Sequence, residues 1–546
     1  MTGNIITSAN SPFFIASGVT SNFDIVSSGG TEVVLSGGVA RKTSVEGGGV
    51  LIIEDGGSGD SATLIGISGS GFGNFATEIV SQGGSVINTA VSSGGILVVS
   101  SGGLAASTTV ASTGFGAGAG GLVLSGANGG GTASATLVTD SGQEALYSGG
   151  TEIAGTVTSG GTLFVFSGGT GLGVTVGDSG TLDVGAVFSA ATPSAGGLAL
   201  NAEVQSGGSL NVSIGGVASA TAVDSGGQEN VFSGGTDINA TVSGGALFNI
   251  LSGGTARGTI VLSGGTEFVS AGGVGISATV DSGGMEFVSS GGTDIGATVS
   301  GGGLFNVLSG GTAIGTTVLS GGTEIVSAGG IGISATLSGS DLALSSLAME
   351  NVLSGGRVSQ TSVLSGGALF VSGGGVAVAT TVIDTKLGFF VLSGGIASST
   401  VVGSGGLENI LSGAIDRGGT INSAGVLKLL GGTASGATVS GLLLVSSGAV
   451  VSANLKSGGT EIVDSGATDS GTTITSGATM VLLGGAVSRA ARSSRAASKS
   501  SAPMAPISPL SSLSEASGAC NTSSASPAGR IWGWQRLCEQ HHDLEL

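Results

Sequence analysis

Four glutamates, Glu229, Glu267, Glu286 and Glu324, stand at whole multiples of 19 residues from one another. Carboxylates repeated on neighbouring turns would bring like charges together, and a hard cation such as calcium bridges such groups. The plainer expectation is that this column faces solvent. The calcium-binding nonapeptide GGxGxDxUx does not occur, and GGSGDSATL from Gly56 has its Asp one place early. A second register, Thr241, Thr279, Thr298, Thr317 and Thr336, aligns hydroxyls and is broken at Ile260. Strand propensity and hydroxyl stacking account for such a row. Catalysis needs a small convergent set of titratable groups. The first 488 residues hold no histidine, one tyrosine, Tyr147, and eight basic residues. His541 and His542 adjoin near the end of the chain with nothing around them to complete a site, and the sequons at Asn211 and Asn239 are expected by chance in a Ser/Thr-rich chain. No catalytic, metal-binding or cofactor-binding residue is therefore assigned.

The elements that carry these residues follow from a 19-residue beat in unbroken phase from Ser206 to about Leu337, as in SGGTEFVSAGGVGISATVD from Ser263 and SGGMEFVSSGGTDIGATVS from Ser282. Each copy holds two glycine turns, spaced alternately 8 and 11 residues apart. Between turns lie short stretches rich in Val, Ile, Phe and Thr, which suit strands, while Gly-Gly supplies the positive φ of a sharp corner. A period of this length means a repeat architecture. The expected fold is all-β, a single-stranded parallel β-solenoid (β-helix) of about 19-residue coils. Roughly 20 to 24 coils stacked at ~4.8 Å would span on the order of 100 Å.

Stacked in columns, Val231, Ile250, Val269, Val288, Val307 and Val326 read as core, as do Val242, Val261, Val280, Val299, Val318 and Leu337. Ile238, Ile276, Ile295, Ile314 and Ile333 suggest a third core column broken by Arg257, with Ala240, Ala278, Ala297 and Ala335 two residues along. A longer period of 57 residues, three units, relates Ser225–Leu262 to Ser282–Leu319, so the chain grew by adding length.

Gly is 113 of 546 residues, charged residues 9% and aromatics 4%, which points to a thin aliphatic core. The formal net charge is −19, and the first 488 residues alone carry eight Lys/Arg against 29 Asp/Glu. Nucleic acid is excluded as a partner by this balance, because phosphate backbones are met by clustered Lys and Arg. Acidity keeps a long repeat protein soluble. No secretory signal peptide and no membrane span is visible.

Residues 1–27 lack the Gly-Gly beat and read as an N-terminal cap or lead-in, with Phe13, Phe14 and Phe23 placed to plug the solenoid. Residues 28–487 form the β-solenoid, with looser stretches at 58–74, 106–131 and 177–205 and an interruption, SGSDLALSSLAMEN, after Leu337. Residues 488–546 hold both Cys (Cys520 and Cys538), both Trp, both His and four of six Pro. They are expected to be a disordered tail, either an Ala/Pro/Ser-rich linker or the product of a shifted reading frame.

The unit SGGTEIVSAGGIGISATLS from Ser320, with its siblings, resembles the strand-loop-strand repeat of AIDA-type autotransporter passengers over roughly residues 28–487. The resemblance implies a bacterial surface or secreted stalk or adhesin acting through a repetitive surface, without catalytic activity and without cofactors. It implies host or bacterial surface ligands, or self-association, as partners. It also implies a glycosyltransferase partner during maturation, with Ser263, Ser282, Ser290, Ser309 and Ser320, at the matching turns, as candidate O-glycosylation acceptors. No C-terminal β-barrel of that family is visible here. A carbohydrate-active β-helix enzyme and an ice-binding solenoid stand as alternatives, the first requiring acids concentrated in one groove and the second a flat threonine face.

Overall fold

The computed structural model describes residues 3–66, 74–111, 121–126, 130–185, 196–340, 344–493 and 498–502. The chain divides into two compact units, Met1–Thr316 and Thr317–Leu546. Each is a parallel β-solenoid.

In the first unit the coil is built from three strands, as in Gln228–Val231, Thr236–Ile238 and Thr241–Val242. Each pairs in parallel with the strand 19 residues on: Val231 with Ile250, Asp237 with Ala256, and Val242 with Val261. Two corners are the glycine turns expected from the sequence. The third, at Asn239, is not marked by Gly-Gly and divides the longer segment between turns into two strands. Its backbone is left-handed, with φ 61° at Asn239, 57° at Ser277 and 75° at Gly296. That turns the corner N–H along the solenoid axis, so that Asn239 N donates to Arg257 O at 2.8 Å and Ser277 N to Ile295 O at 2.8 Å. Asn and Gly tolerate this conformation best, and the Asn/Gly/Ser column at this position is the signal that marks the corner.

The third corner corrects the reading of the core. The Val231 and Val242 columns are buried as expected, with Val231, Ile250, Val269, Val242, Val261 and Val280 all at 0% exposure. The isoleucine column is not: Ile295 is 41% exposed, and Ile238, Ile276 and Ile314 are only partly covered. Strand alternation carries Asp237 inward and Ile238 outward, and the left-handed corner then resets the phase so that Ala240 is buried. A column two residues from a buried one shares its face only while the strand is unbroken.

The phenylalanines expected to plug the solenoid do not do so. Phe14 and Phe23 are exposed, Lys42 Nζ lies 5.2 Å from the Phe23 ring centre, and Ile6, Ile15 and Val26 fill the interior instead. The coil pattern already runs through this segment, since Ile5–Ile6, Phe13–Ile15 and Thr20–Asn22 pair with the strands of the next coil. Within the looser stretches, Thr63–Ile65, Thr109–Ala111 and Thr181–Val184 are regular strands. Residues 67–73, 112–120, 127–129 and 186–195 of those stretches lie outside the described residues.

In the second unit the same three strands recur, for example Leu407–Leu411, Ile415–Arg417 and Thr420–Ile421. The interruption after Leu337 forms a short 3-10 turn at Leu344–Ser346. Leu347 then packs on Ala368 and Phe370, with Met349, Leu387 and Phe390 around them and the two Phe rings stacked at 5.3 Å. In Val426–Ser435 and Leu442–Val451 the first and second strands run together into ten-residue strands with local shifts of register. Strands continue past Ser488, where the composition changes: Val487–Arg489, Arg492–Ser493 and Ser498–Ala502 pair with the preceding coil. Residues 494–497 and 503–546 of the expected tail lie outside the described residues.

The two glycines of a turn play different parts. Gly272 has φ +82° with open space where a Cβ would sit, whereas a Cβ on Gly273 would fall 2.4 Å from the carbonyl oxygen of Ile250 in the coil before. We expect Gly272→Ala to cost about 1–2 kcal/mol, the ordinary penalty for a left-handed residue, and Gly273→Ala to cost more because backbone must move. Urea unfolding midpoints of the two variants check this; equal midpoints would refute the steric account of the pair.

Candidate functional site: serine corners and a buried carboxyl column

The glycine turns place four of the candidate serines on two corners of the first unit. Ser263 and Ser282 open the turns before the first strands Thr266–Val269 and Met285–Val288, one coil apart. Ser290 and Ser309 sit on the next corner, after the first strand, with Ser290 N donating to Ser309 O at 3.0 Å. Both corners thus border one outward strand face. Ser320, in the second unit, opens the corner before Thr323–Val326. All five are exposed. Backbone hydrogen bonds to neighbouring coils hold the carbonyls of Ser263 and Ser309 and the N–H of Ser290, and Ser282 N donates to Asp281 Oδ1, leaving primary hydroxyls at solvent-facing corners repeated at the spacing of the coils. An unactivated serine hydroxyl is a weak nucleophile, and the 488-residue body has no histidine to deprotonate it. Such hydroxyls suit the acceptor role in a reaction whose base and activated donor come from another protein.

Thr241, Thr279 and Thr298 face outward from the third strands of the first unit, half-buried, and the row is broken by the exposed Ile260. Asn211 lies in the strand Ser209–Val212, where the side-chain amides of Asn230 and Asn249 continue a stacked ladder at 3.0 and 2.9 Å. Cys520, Cys538, His541 and His542 lie outside the described residues.

The glutamate column is where structure departs most from expectation. Glu229, Glu267, Glu286 and Glu324 are not solvated: each is at 0% exposure, inside the coil. The reason is the alternation of the first strand. In Thr266–Val269 the inward residues are Glu267 and Val269, so a glutamate two places before a core valine shares its side. The same column holds Glu32 before Leu51 and Glu78 between Leu51 and Leu97, and Phe248 and Phe305 beside the glutamates. In the second unit Glu350, Glu408 and Glu461 alternate with Leu369, Phe389, Leu427 and Met480.

Most of these acids meet a specific polar neighbour. Glu229 faces Asp237 on the second strand of its own coil, and Glu408 faces Asp416 likewise. Glu144 faces Glu152, which accepts from Thr136 N at 3.2 Å and Thr136 Oγ1 at 2.9 Å. Glu78 accepts from Thr89 Oγ1 at 3.1 Å. Desolvation dominates the electrostatics, because an ionised carboxylate loses its hydration in this interior. It pushes Glu78 up to about 7 against the opposing Thr89 hydrogen bond. It raises Glu229 well above the usual carboxylate range, helped by the charge of Asp237. Glu32, beside Asp24, and Glu461, beside Asp469, rise to about 8. Neutral acids are poor ligands, and among the described residues no group of three or more His, Cys, Asp or Glu is placed to hold a metal ion. Bridging by calcium is therefore not what this column supports.

The signal was present in the chain: a second acid follows eight residues after Glu144, Glu229, Glu286, Glu408 and Glu461, as Glu152, Asp237, Asp294, Asp416 and Asp469. Eight residues is the step from the first strand to the inward position of the second. The paired acids do converge, but inside the coil and out of reach of a substrate, unlike the groove a carbohydrate-active enzyme requires.

No family model matches the chain, and no curated protein is similar to it. Among solved structures, a crystal structure of a hyper-glycosylated fragment of TibA, residues 55–350, modified by TibC, is similar to it. The identity is 26%, over 66% of this chain and 99% of that one, with a TM-score of 0.35. So loose a superposition carries no argument, and the solenoid assignment rests on the strand pairing above.

Other coils place leucine where Glu78 sits, so the acid is replaceable by an apolar side chain. We expect Glu78→Leu combined with Thr89→Val to raise stability at pH 8 by about 1 kcal/mol, as when a buried polar pair gives way to apolar packing. Chemical denaturation checks it, and a loss of stability would show that the carboxyl is required for packing.

Proposed function

We propose that this chain is a bacterial cell-surface or secreted stalk or adhesin of the AIDA-type passenger kind, acting through its repetitive outer surface and not through catalysis. One observation carries the reading: the coils turn exposed serines outward at recurring corners while the converging acids are enclosed in the interior. A surface of that kind offers many equivalent weak contacts, whose sum grows with the number engaged at once. Its partners are surface ligands of a host or of neighbouring cells, or further copies of the chain. The hydroxyls of Ser263, Ser282, Ser290, Ser309 and Ser320 are acceptors for a glycosyltransferase, which would cover the corners with sugar. Among the described residues no helix is long and apolar enough to cross a membrane. This says nothing of a β-barrel.

Cells displaying the full chain are expected to aggregate or to bind surfaces more than cells displaying an unrelated protein, and inert cells would count against adhesion. Intact mass of the chain from its native host is expected to exceed the sequence mass by whole hexose or heptose increments. Fewer increments after serine-to-alanine changes at the five corners would assign them; an unmodified mass would refute the acceptor role.

A further inference from the structure

Among the residues whose burial is described no Arg or Lys is buried: all are exposed except Lys428, which is half-buried on an outward face, and Arg41 pairs with Asp60 on the surface. What faces Glu229 is another acid, Asp237, with Leu210 and Phe248 stacked on one and Ala218 and Ala256 on the other. Asp237 alone of the two receives backbone donors, Ala240 N at 3.2 Å and Ile238 N. Asp294 is held in the same way, by Ala297 N at 3.2 Å and Ile295 N, and hydrogen-bonds Glu286. Glu267 feels both Asp294 and Asp237, so five acids form one electrostatic group in the first unit.

The second unit repeats the arrangement independently. The backbone N–H groups of Gly419 and Arg417 lie beside Asp416, and the Thr400 hydroxyl and Asp416 lie beside Glu408, near enough to act on each carboxyl though none closes a hydrogen bond of ordinary length on it. Phe389, Leu427, Ala397 and Ala434 close around them and bring no further charge. Two adjoining carboxyls with donors on one side only are satisfied by a single proton between them: the glutamic acid O–H donates and the aspartate, held by backbone N–H groups, accepts.

We propose that the fold is proton-loaded: each interior Glu–Asp pair enters the folded state with one shared proton, so folding takes up protons and mild alkali loosens both units. The sign follows from linkage, since the folded state binds more protons than the unfolded one and stability must fall as pH rises. The contribution is complete below about pH 4, where carboxyls are protonated in either state. It is lost in steps as pH climbs: the aspartates first give up a second proton, Asp294 through about 6 and Asp237 and Asp416 through about 7, Glu350 follows through about 7 and Glu32 and Glu461 through about 8, and the shared proton on Glu229 and Glu408 leaves well above the usual carboxylate range. Burial is the first cause in every one of them, so the dependence belongs to the folded interior.

Urea unfolding of the full chain in weakly buffered solution at pH 7, with released protons titrated back, tests this. The wild type is expected to release protons on unfolding, and its midpoint to fall steadily from pH 5 to pH 8.5. The isosteric pairs Glu229→Gln/Asp237→Asn and Glu408→Gln/Asp416→Asn should each release about one proton fewer and flatten the pH profile. Asp140→Asn, at an exposed turn, should change neither reading. Release undiminished in both pair variants, or stability that rises between pH 5 and pH 8 in the wild type, would overturn the proposal. If one pair variant does not fold, the other, in a separate unit, still decides it.

Discussion

Parallel pairing between like positions of successive coils is the constraint on which everything else in this protein depends. Each strand gives its N–H and C=O groups to the coils before and after it, so no strand is satisfied without a neighbour of the same shape. Stacked strands lie about 4.8 Å apart, and every side chain meets its own column at that spacing. The interior is thereby reduced to a few columns, and what one coil places there its neighbours must tolerate. This is why the glycine after each left-handed turn residue recurs: at Gly273 a side chain would enter the carbonyl of the preceding coil.

The same constraint makes the buried acids intelligible. A column accepts Leu, Phe, Met or Glu because each fills similar space, as Leu51, Glu78 and Leu97 do in succession. An ionised glutamate there would lack both water and a counter-ion, and the desolvation cost of a buried charge is large. The coil answers with a second acid, a threonine hydroxyl or backbone N–H groups at the facing position. A neutral, hydrogen-bonded carboxyl costs far less than an ionised one, so the acidity of the composition overstates the charge that the folded units carry. The formal −19 describes the unfolded chain better than the folded one.

The outer surface follows from the corners rather than from the strands. Serine leads many of the glycine turns because it accepts an exposed position, and at Ser263, Ser282, Ser290, Ser309 and Ser320 the side chain is exposed to chemistry supplied from outside. The insertion after Leu337 shows a second use of the exterior. Its Leu347 covers Phe370 and builds a small apolar cluster outside the coil, so outward-facing residues are not uniformly polar.

The sequence by itself determined the period, the strand character, the two glycine turns and the two aliphatic columns, because these depend on local residue preference and on self-similarity along the chain. It left the third corner unmarked, since a single left-handed Asn239, Ser277 or Gly296 does not break a chain as Gly-Gly does. From that one omission came the misplaced isoleucine column. The inward turn of the glutamates was readable from alternation with Val269 and from the eight-residue step to a second acid, yet a charged residue read alone points to solvent. Only the tertiary structure decided otherwise. Which side of a strand is inside depends on where all three strands close around the core, and that closure is a property of the coil and not of any one segment.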